Sequence, residues 1–172
     1  MRTRLFIAVL MIIAFQGVGQ QVYMERITIE DGLPANHITD LAQDSVGFIW
    51  IVSNKGITRY DGSSYYHYPN NLLGNEQFTG SYALRLFRDA KGGIWTTTQA
   101  GAVLSYDPVL DRFQVRNDSS SRLPSLAYSY YQDDSGDFWF GTAGDGLVHW
   151  EREKSTLKKY QMFAHRDSLP DD

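Results

Sequence analysis

Three heptapeptides decide the fold of this chain: DSVGFIW at residues 44–50, DAKGGIW at residues 89–95 and DDSGDFW at residues 133–139. They share the frame Asp-x-x-Gly-x-x-Trp, and their tryptophans are 45 and 44 residues apart. A repeat of about 40–45 residues is typical of one four-stranded blade of a β-propeller. The repeat positions are Asp44, Gly47, Trp50, Asp89, Gly92, Trp95, Asp133, Gly136 and Trp139.

The chemistry of the frame predicts a tight hairpin turn. An Asp side chain accepts hydrogen bonds from backbone N–H groups two or three residues on, and Gly adopts the left-handed conformation that such a turn needs. The Trp that follows offers a large apolar area for packing between neighbouring sheets. The alternative, catalytic carboxylates, is disfavoured because a catalytic site is not built once per structural repeat.

Short β-rich stretches between Gly, Asn and Asp turns predict four antiparallel strands per copy. First strands are expected at 38–43, 82–88 and 127–132, and second strands at 48–53, 93–98 and 137–142. Third strands are expected at 57–60, 102–106 and 147–151, and fourth strands at 65–68, 113–116 and 157–161. The predicted fold is therefore all-β, a partial propeller with blades at about 35–70, 80–118 and 124–163.

A Leu-Pro pair precedes the first strand of a blade at 33–34 and 123–124 and occurs again at 169–170, and it marks the link between one blade and the next. The second copy of the repeat has no such pair before its first strand. Residues 22–29 precede the first link and are expected to form an unpaired fourth strand that closes the last blade of a complete ring. Three blades are fewer than the roughly four to eight of a closed propeller. The chain is therefore expected to be the N-terminal part of a longer protein, with an oligomer of three-blade units as the alternative.

Residues 1–19 have the layout of a secretory signal peptide. Two arginines precede the apolar run of residues 5–15, and Gly17-Val18-Gly19 suits a signal peptidase. The run is shorter than the roughly 20 residues of a membrane span, although an uncleaved anchor remains an alternative. Residues 20–172 would then be the mature, incomplete propeller. The absence of cysteine excludes a lipoprotein anchor, thiolate metal sites and cysteine nucleophiles.

The charge of the chain argues against a nucleic-acid partner. The formal net charge is −4, whereas phosphate binding needs clustered Lys and Arg. His37, His67, His149 and His165 show no metal-ligand spacing, so no metal site is expected. No cofactor is expected either.

Residues 30–44, with GFIW at 47–50 and GITRYDG at 56–62, resemble the two-component regulator propeller repeat. The third copy is almost as similar, whereas the second departs at 96–98 and at Ala102. The resemblance implies the periplasmic sensor part of a bacterial hybrid two-component system, anchored in the inner membrane as a full-length protein. It also implies oligosaccharide or other small ligands, and a histidine kinase region in a C-terminal part that is absent from this sequence.

Propeller ligands generally sit at the mouth of the central channel, where the first strands converge. The candidate ligand-binding residues there are Asn36, His37, Tyr82, Tyr128 and Tyr130. In the alternative interpretation, the tyrosines pack between blades and Asn36 caps a turn.

Two other functions remain open. A secreted propeller glycosidase or lyase would need a pair of non-repeating carboxylates, and the non-frame glutamates at 25, 30, 76, 151 and 153 have no recognisable setting, so no catalytic residue is predicted. A non-catalytic adhesion or scaffold propeller is the other alternative. A homodimer is compatible with each of these functions.

Overall fold

The computed structural model describes residues 24–70, 83–118 and 120–161. The predicted signal peptide, Tyr82 and the Leu-Pro pair at 169–170 lie outside these ranges. Among the described residues, no helix is long and apolar enough to cross a membrane.

The described residues form three antiparallel sheets of four strands, each in chain order from one edge to the other. We call the sheets blades one, two and three. Blade one contains β1 (Ile38–Gln43), β2 (Ile49–Ser53), β3 (Gly56–Tyr60) and β4 (Tyr65–Pro69). Blade two contains β5 (Ala83–Arg88), β6 (Ile94–Thr98), β7 (Val103–Asp107) and β8 (Arg112–Val115). Blade three contains β9 (Ala127–Gln132), β10 (Phe138–Thr142), β11 (Leu147–Glu151) and β12 (Thr156–Tyr160).

The predicted all-β propeller architecture is confirmed, and each of these strands begins and ends within one residue of its predicted bounds. The second strands begin one residue later than predicted, for one physical reason. The residues at 48, 93 and 137 belong to the turn, because the carbonyl oxygen of each accepts the backbone N–H of its frame Asp at 3.0–3.1 Å.

The frame Asp organises the turn between the first two strands of each blade. In blade one, Oδ1 of Asp44 accepts the backbone N–H groups of Val46, Gly47 and Phe48 at 2.9–3.0 Å. Oδ2 of the same carboxylate accepts the indole N–H of Trp50 at 2.8 Å. The predicted turn-capping role is confirmed, and the hydrogen bond to the indole explains why Trp stands at the seventh position.

Blades two and three repeat this geometry. The indole N–H groups of Trp95 and Trp139 donate to Asp89 and Asp133, each at 2.9 Å. The frame glycines have φ values of +108°, +84° and +85°, in the region that side chains rarely adopt. The frame therefore needs Gly at its fourth position because of the backbone conformation of the turn.

Two apolar cores lie between the blades, and the middle blade contributes to both. Alternate residues of its strands point to opposite faces, so both faces are buried. Its contributions toward blade one include Leu86, Ile94, Leu104 and Phe113. Its contributions toward blade three include Phe87, Trp95 and Val103.

The frame tryptophans were predicted to pack between neighbouring blades, and two of them do. Trp50 is fully buried and lies edge-on to Phe113 of blade two, with ring centroids 5.7 Å apart. Trp95 lies 5.1 Å from Phe138 of blade three. Trp139 is only half-buried, and its ring contacts among the described residues, with His149 and Tyr160, lie within its own blade.

The links between blades are anchored by their leucines. Leu33 and Leu123 are 7% and 4% exposed, and the backbone N–H of Leu123 donates to the carbonyl of Gly101 at 2.9 Å. Leu123 thereby ties the start of blade three to the β6–β7 turn of blade two.

The predicted closing strand at 22–29 needs one correction. Ile29 belongs to a short 3-10 helix (Ile29–Asp31), which Thr28 caps by accepting the N–H of Glu30 at 3.2 Å. Residues 24–28 are not paired as a strand. The extended backbone therefore ends at Thr28, before Ile29. That the preceding residues pair with the last blade of a complete ring stays a prediction.

Replacing Asp89 by alanine tests the role of the frame carboxylate. The change leaves the turn N–H groups of Lys91 and Gly93 and the indole of Trp95 without their acceptor. We expect the free energy of unfolding, measured by urea titration, to fall by about 2–3 kcal/mol. The control is Asp134→Ala, an exposed Asp in the matching turn of blade three. Equal stability of the two variants would contradict the capping role.

Gly101→Ala tests the contact between the β6–β7 turn and the link. Gly101 has φ +76°, and a Cβ there would lie 2.1 Å from the carbonyl oxygen of Leu123. We expect a loss of stability of about 2–4 kcal/mol, because both backbone strain and a clash with backbone are introduced. Gly144→Ala, where a Cβ meets nothing within 4 Å, is the matched control and should change the unfolding midpoint little.

Candidate ligand-binding site

The first strands of the three blades lie side by side, with β5 between β1 and β9. Side chains cover their exposed backbone edges. The Asp40 carboxylate accepts the N–H of Leu86 from blade two and the N–H of Leu41 from its own strand, both at 2.9 Å. Arg85 donates to the carbonyl of Thr39 at 3.3 Å. The hydrogen bonds between Asp40 and Leu86 and between Arg85 and Thr39 hold β1 of blade one against β5 of blade two at the inner edge.

A cleft of about 550 Å³ opens on this inner edge, lined by residues 40–41, 85–86 and 128–132. Tyr128 and Tyr130 are 57% and 43% exposed. The guanidinium of Arg85 lies 5.6 Å from the ring centroid of Tyr128. The ring of Tyr130 rests against the buried Phe87, with centroids 4.7 Å apart. The cleft therefore presents supported, half-exposed aromatic rings beside a cation and a carboxylate.

The structure brings together two of the five residues predicted to bind ligand. Tyr128 and Tyr130 line the cleft. Oδ1 of Asn36 accepts the N–H of Ile29 at 3.0 Å, which gives this residue a role in holding the 3-10 helix. His37 is exposed, but it is not among the residues that line this cleft. Tyr82 lies outside the described residues.

Sequence reasoning missed seven other residues of the cleft, among them Asp40, Arg85 and Tyr131. Tyr131 is 63% exposed. Asp40, Arg85 and Tyr131 stand on predicted first strands, so a signal was present in the chain. Their part in the cleft could not be recognised from the sequence, because Asp and Arg are common on exposed strands. The position of a residue on a strand also does not show which side chains of neighbouring blades come into contact.

A second polar cluster joins blades one and two away from the cleft. Arg59 donates to the hydroxyl of Tyr106 at 2.5 Å and to Asp111 at 3.1 Å. The hydroxyls of Tyr68 and Tyr106 also donate to Asp111. Burial raises the pKa of Tyr68, and the two hydroxyls hold the pKa of Asp111 below its ordinary value. These hydrogen bonds join Arg59 and Tyr68 of blade one to Tyr106 and Asp111 of blade two, although Nε of Arg59 has no hydrogen-bond partner among the described residues.

A third cluster lies in blade three. Nε2 of His149 lies 3.7 Å from Oδ2 of Asp133 and 3.7 Å from Oδ2 of Asp137. The three side chains are 12%, 26% and 21% exposed. Chain spacing predicted no metal site, yet strand pairing places two carboxylates and an imidazole within ligand distance of one another.

Residues 32–55 match the model of the two component regulator propeller, at the copy whose residues carried the resemblance. No curated protein matches the chain.

Several solved structures share the fold. One is an extracellular domain assigned to the hybrid two component system BT4673 of B. thetaiotaomicron, with a TM-score of 0.62 and 20% identity over 80% of this chain. Virginiamycin B lyase from Staphylococcus aureus gives a TM-score of 0.53 and 16% identity over 78% of this chain. YCF48 from Cyanidioschyzon merolae gives 0.54 and 18% over 78%.

The chain spans 18% of the length of the BT4673 domain, 42% of the lyase and 45% of YCF48. At these identities the likeness concerns the fold, which a sensor domain and a lyase share. The resemblance to the two-component regulator propeller is confirmed at residues 32–55. The chain is a propeller domain like the extracellular sensor regions of hybrid two-component systems.

Proposed function

We propose that this chain is the ligand-sensing propeller part of an extracytoplasmic two-component sensor and that it binds oligosaccharides in the cleft on its first strands. The observation that carries the proposal is the pair of half-exposed rings, Tyr128 and Tyr130, on one side of that cleft. The match at residues 32–55 supports the sensor class.

The chemistry of the cleft suits a neutral, hydroxyl-rich ligand. Tyrosine offers an apolar face and a hydroxyl that forms hydrogen bonds, and sugars present both kinds of surface. Phe87 behind Tyr130 and Arg85 beside Tyr128 limit the positions of the two rings. A ligand therefore loses little free energy in ordering them.

The number of carboxylates in the cleft favours ligand binding without catalysis. Glycoside hydrolysis needs two carboxyl groups that face one bond. Asp40 is the one carboxylate among the described residues that line the cleft, and both its oxygens already accept backbone N–H groups. Histidine kinase activity would belong to a C-terminal region of the same protein.

Calorimetry with a panel of plant, fungal and host oligosaccharides tests the ligand class. For the sugar that the wild-type protein binds, Tyr128→Ala and Tyr130→Ala should each weaken affinity at least about tenfold, which corresponds to about 1.4 kcal/mol. Tyr66→Ala is the control, since Tyr66 is 47% exposed on the outer strand β4. Equal weakening by Tyr66→Ala, or no binding across the panel, would contradict the proposal and favour a scaffold.

A turnover assay on the same panel separates sensor from enzyme. A lyase shares the fold, so this alternative has a specific basis. We expect no new reducing ends and no unsaturated products after prolonged incubation. Turnover that survives purification and is lost in Asp40→Asn would identify a catalytic propeller instead.

Export is the remaining part of the proposal. The layout of residues 1–19 predicts cleavage after Gly19 and a periplasmic chain. Mass spectrometry of the protein recovered from the periplasm of a Gram-negative host should give a mature chain that starts at Gln20. A chain that keeps Met1 and stays in the membrane fraction would instead indicate an uncleaved anchor.

A further inference from the structure

The cluster of Asp133, Asp137 and His149 contains one of six buried side-chain polar atoms that lack a hydrogen-bond partner in the described part of the chain. Nε2 of His149 is inaccessible to solvent and has no hydrogen-bond partner within the described part of the chain. A buried polar atom without a partner is uncommon and calls for an explanation, such as an ion that the structure does not contain. Here the atom points at two carboxylate oxygens.

The distances do not fit direct hydrogen bonds. Each Nε2–Oδ2 separation is 3.7 Å, whereas N–H···O hydrogen bonds span about 2.7–3.2 Å. A metal bound to nitrogen and oxygen at about 2.0–2.2 Å with tetrahedral angles separates its ligand atoms by roughly 3.3–3.5 Å. The three ligand atoms all lie within 4.8 Å of one another, so a small adjustment would centre an ion.

Other contacts hold the three side chains in place. Oδ1 of Asp133 accepts the N–H of Asp137 at 3.1 Å, and Oδ1 of Asp137 accepts the N–H of Arg152 at 2.9 Å. The imidazole of His149 stacks on Trp139, with centroids 4.0 Å apart and planes 12° from parallel. The indole also donates to Oδ2 of Asp133, the kind of outer contact that orients metal ligands.

The cluster is not required by the repeat. The residue paired with the frame tryptophan is Arg59 in blade one, Ser105 in blade two and His149 in blade three. The position of Asp137 holds Phe48 in blade one and Gly93 in blade two. The same turn therefore forms without these two ligands, and blade three alone among the described blades adds them.

We propose that Asp133, Asp137 and His149 form a binding site for one divalent transition metal, with Zn²⁺ as the preferred ion. An imidazole with two carboxylates suits zinc and its neighbours, whereas Ca²⁺ and Mg²⁺ take oxygen ligands. The two negative charges balance the ion. Asp133 also borders a wider cleft of about 790 Å³ between blades two and three.

The bound ion would connect the β9–β10 turn to β11 inside blade three. This role is independent of sugar binding, because the cleft on the first strands does not include His149. Zinc should therefore stabilise the fold by mass action without being part of the sugar site.

The test uses untagged wild-type protein, stripped with chelator, and titrated with Zn²⁺ alone in a calorimeter. We expect one equivalent to bind, and His149→Ala and Asp137→Asn each to weaken affinity at least tenfold. Asp137→Asn keeps the acceptor for Arg152, which limits damage to the fold. The control is His37→Ala, an exposed histidine of blade one, which should bind like the wild type.

Two further readouts keep the proposal falsifiable if a variant folds poorly. Co²⁺ added to the wild-type protein should give visible absorption bands of a nitrogen–oxygen site, and Zn²⁺ should displace them. Zn²⁺ should also raise the melting temperature of the wild type and of His37→Ala. Wild-type binding no tighter than that of His149→Ala, or no zinc-dependent stabilisation, would overturn the proposal and leave only a contact between His149 and the two aspartates.

Discussion

One carboxylate holds the first hairpin of each blade in shape. The frame Asp accepts N–H groups of the turn with one oxygen and the indole N–H of the frame Trp with the other. A local turn and a large core side chain are thereby fixed by the same group. Because the indole is tethered, the apolar part of Trp50 and Trp95 is directed toward the next blade, where the inter-blade core forms.

The blades depend on one another because a single sheet cannot bury both of its faces. Blade two contributes to both inter-blade cores, and even the threonines at 96, 97 and 98 on β6 are buried. The second copy can depart from the repeat in those positions because the β-branched threonine fits a strand that is covered on both sides. Thr96 satisfies its hydroxyl by donating to the carbonyl of Arg85 at 2.8 Å, and Thr98 does so by accepting the N–H of Ala102 at 3.2 Å. The hydroxyl of Thr97 has no hydrogen-bond partner among the described residues. Stability of this kind is a sum of blades and the interfaces between them.

Residues that differ between matching positions of the three blades give each blade its own polar contacts. Opposite the frame Trp, Arg59 joins blade one to Asp111 of blade two. His149, at the same position of blade three, instead faces two carboxylates of its own blade. The first strands diverge in a similar way, and the tyrosines at 128 and 130 are the aromatic part of the proposed sugar cleft. The repeat supplies the scaffold, and function is expected where the copies differ.

The amino-acid sequence by itself determined the strands and the turns, because both depend on contacts within one blade, between residues that are close in the chain. Spacing of Asp, Gly and Trp was enough to place the strands within one residue. Only the tertiary structure decided which side chains meet. Asp40 and Leu86 are 46 residues apart in the chain and are joined by a hydrogen bond between blades. His149 reaches Asp133 through the pairing of β10 with β11. Contacts of this kind depend on strand register and on the packing of sheets against one another. Neither can be read from the spacing of residues along the chain.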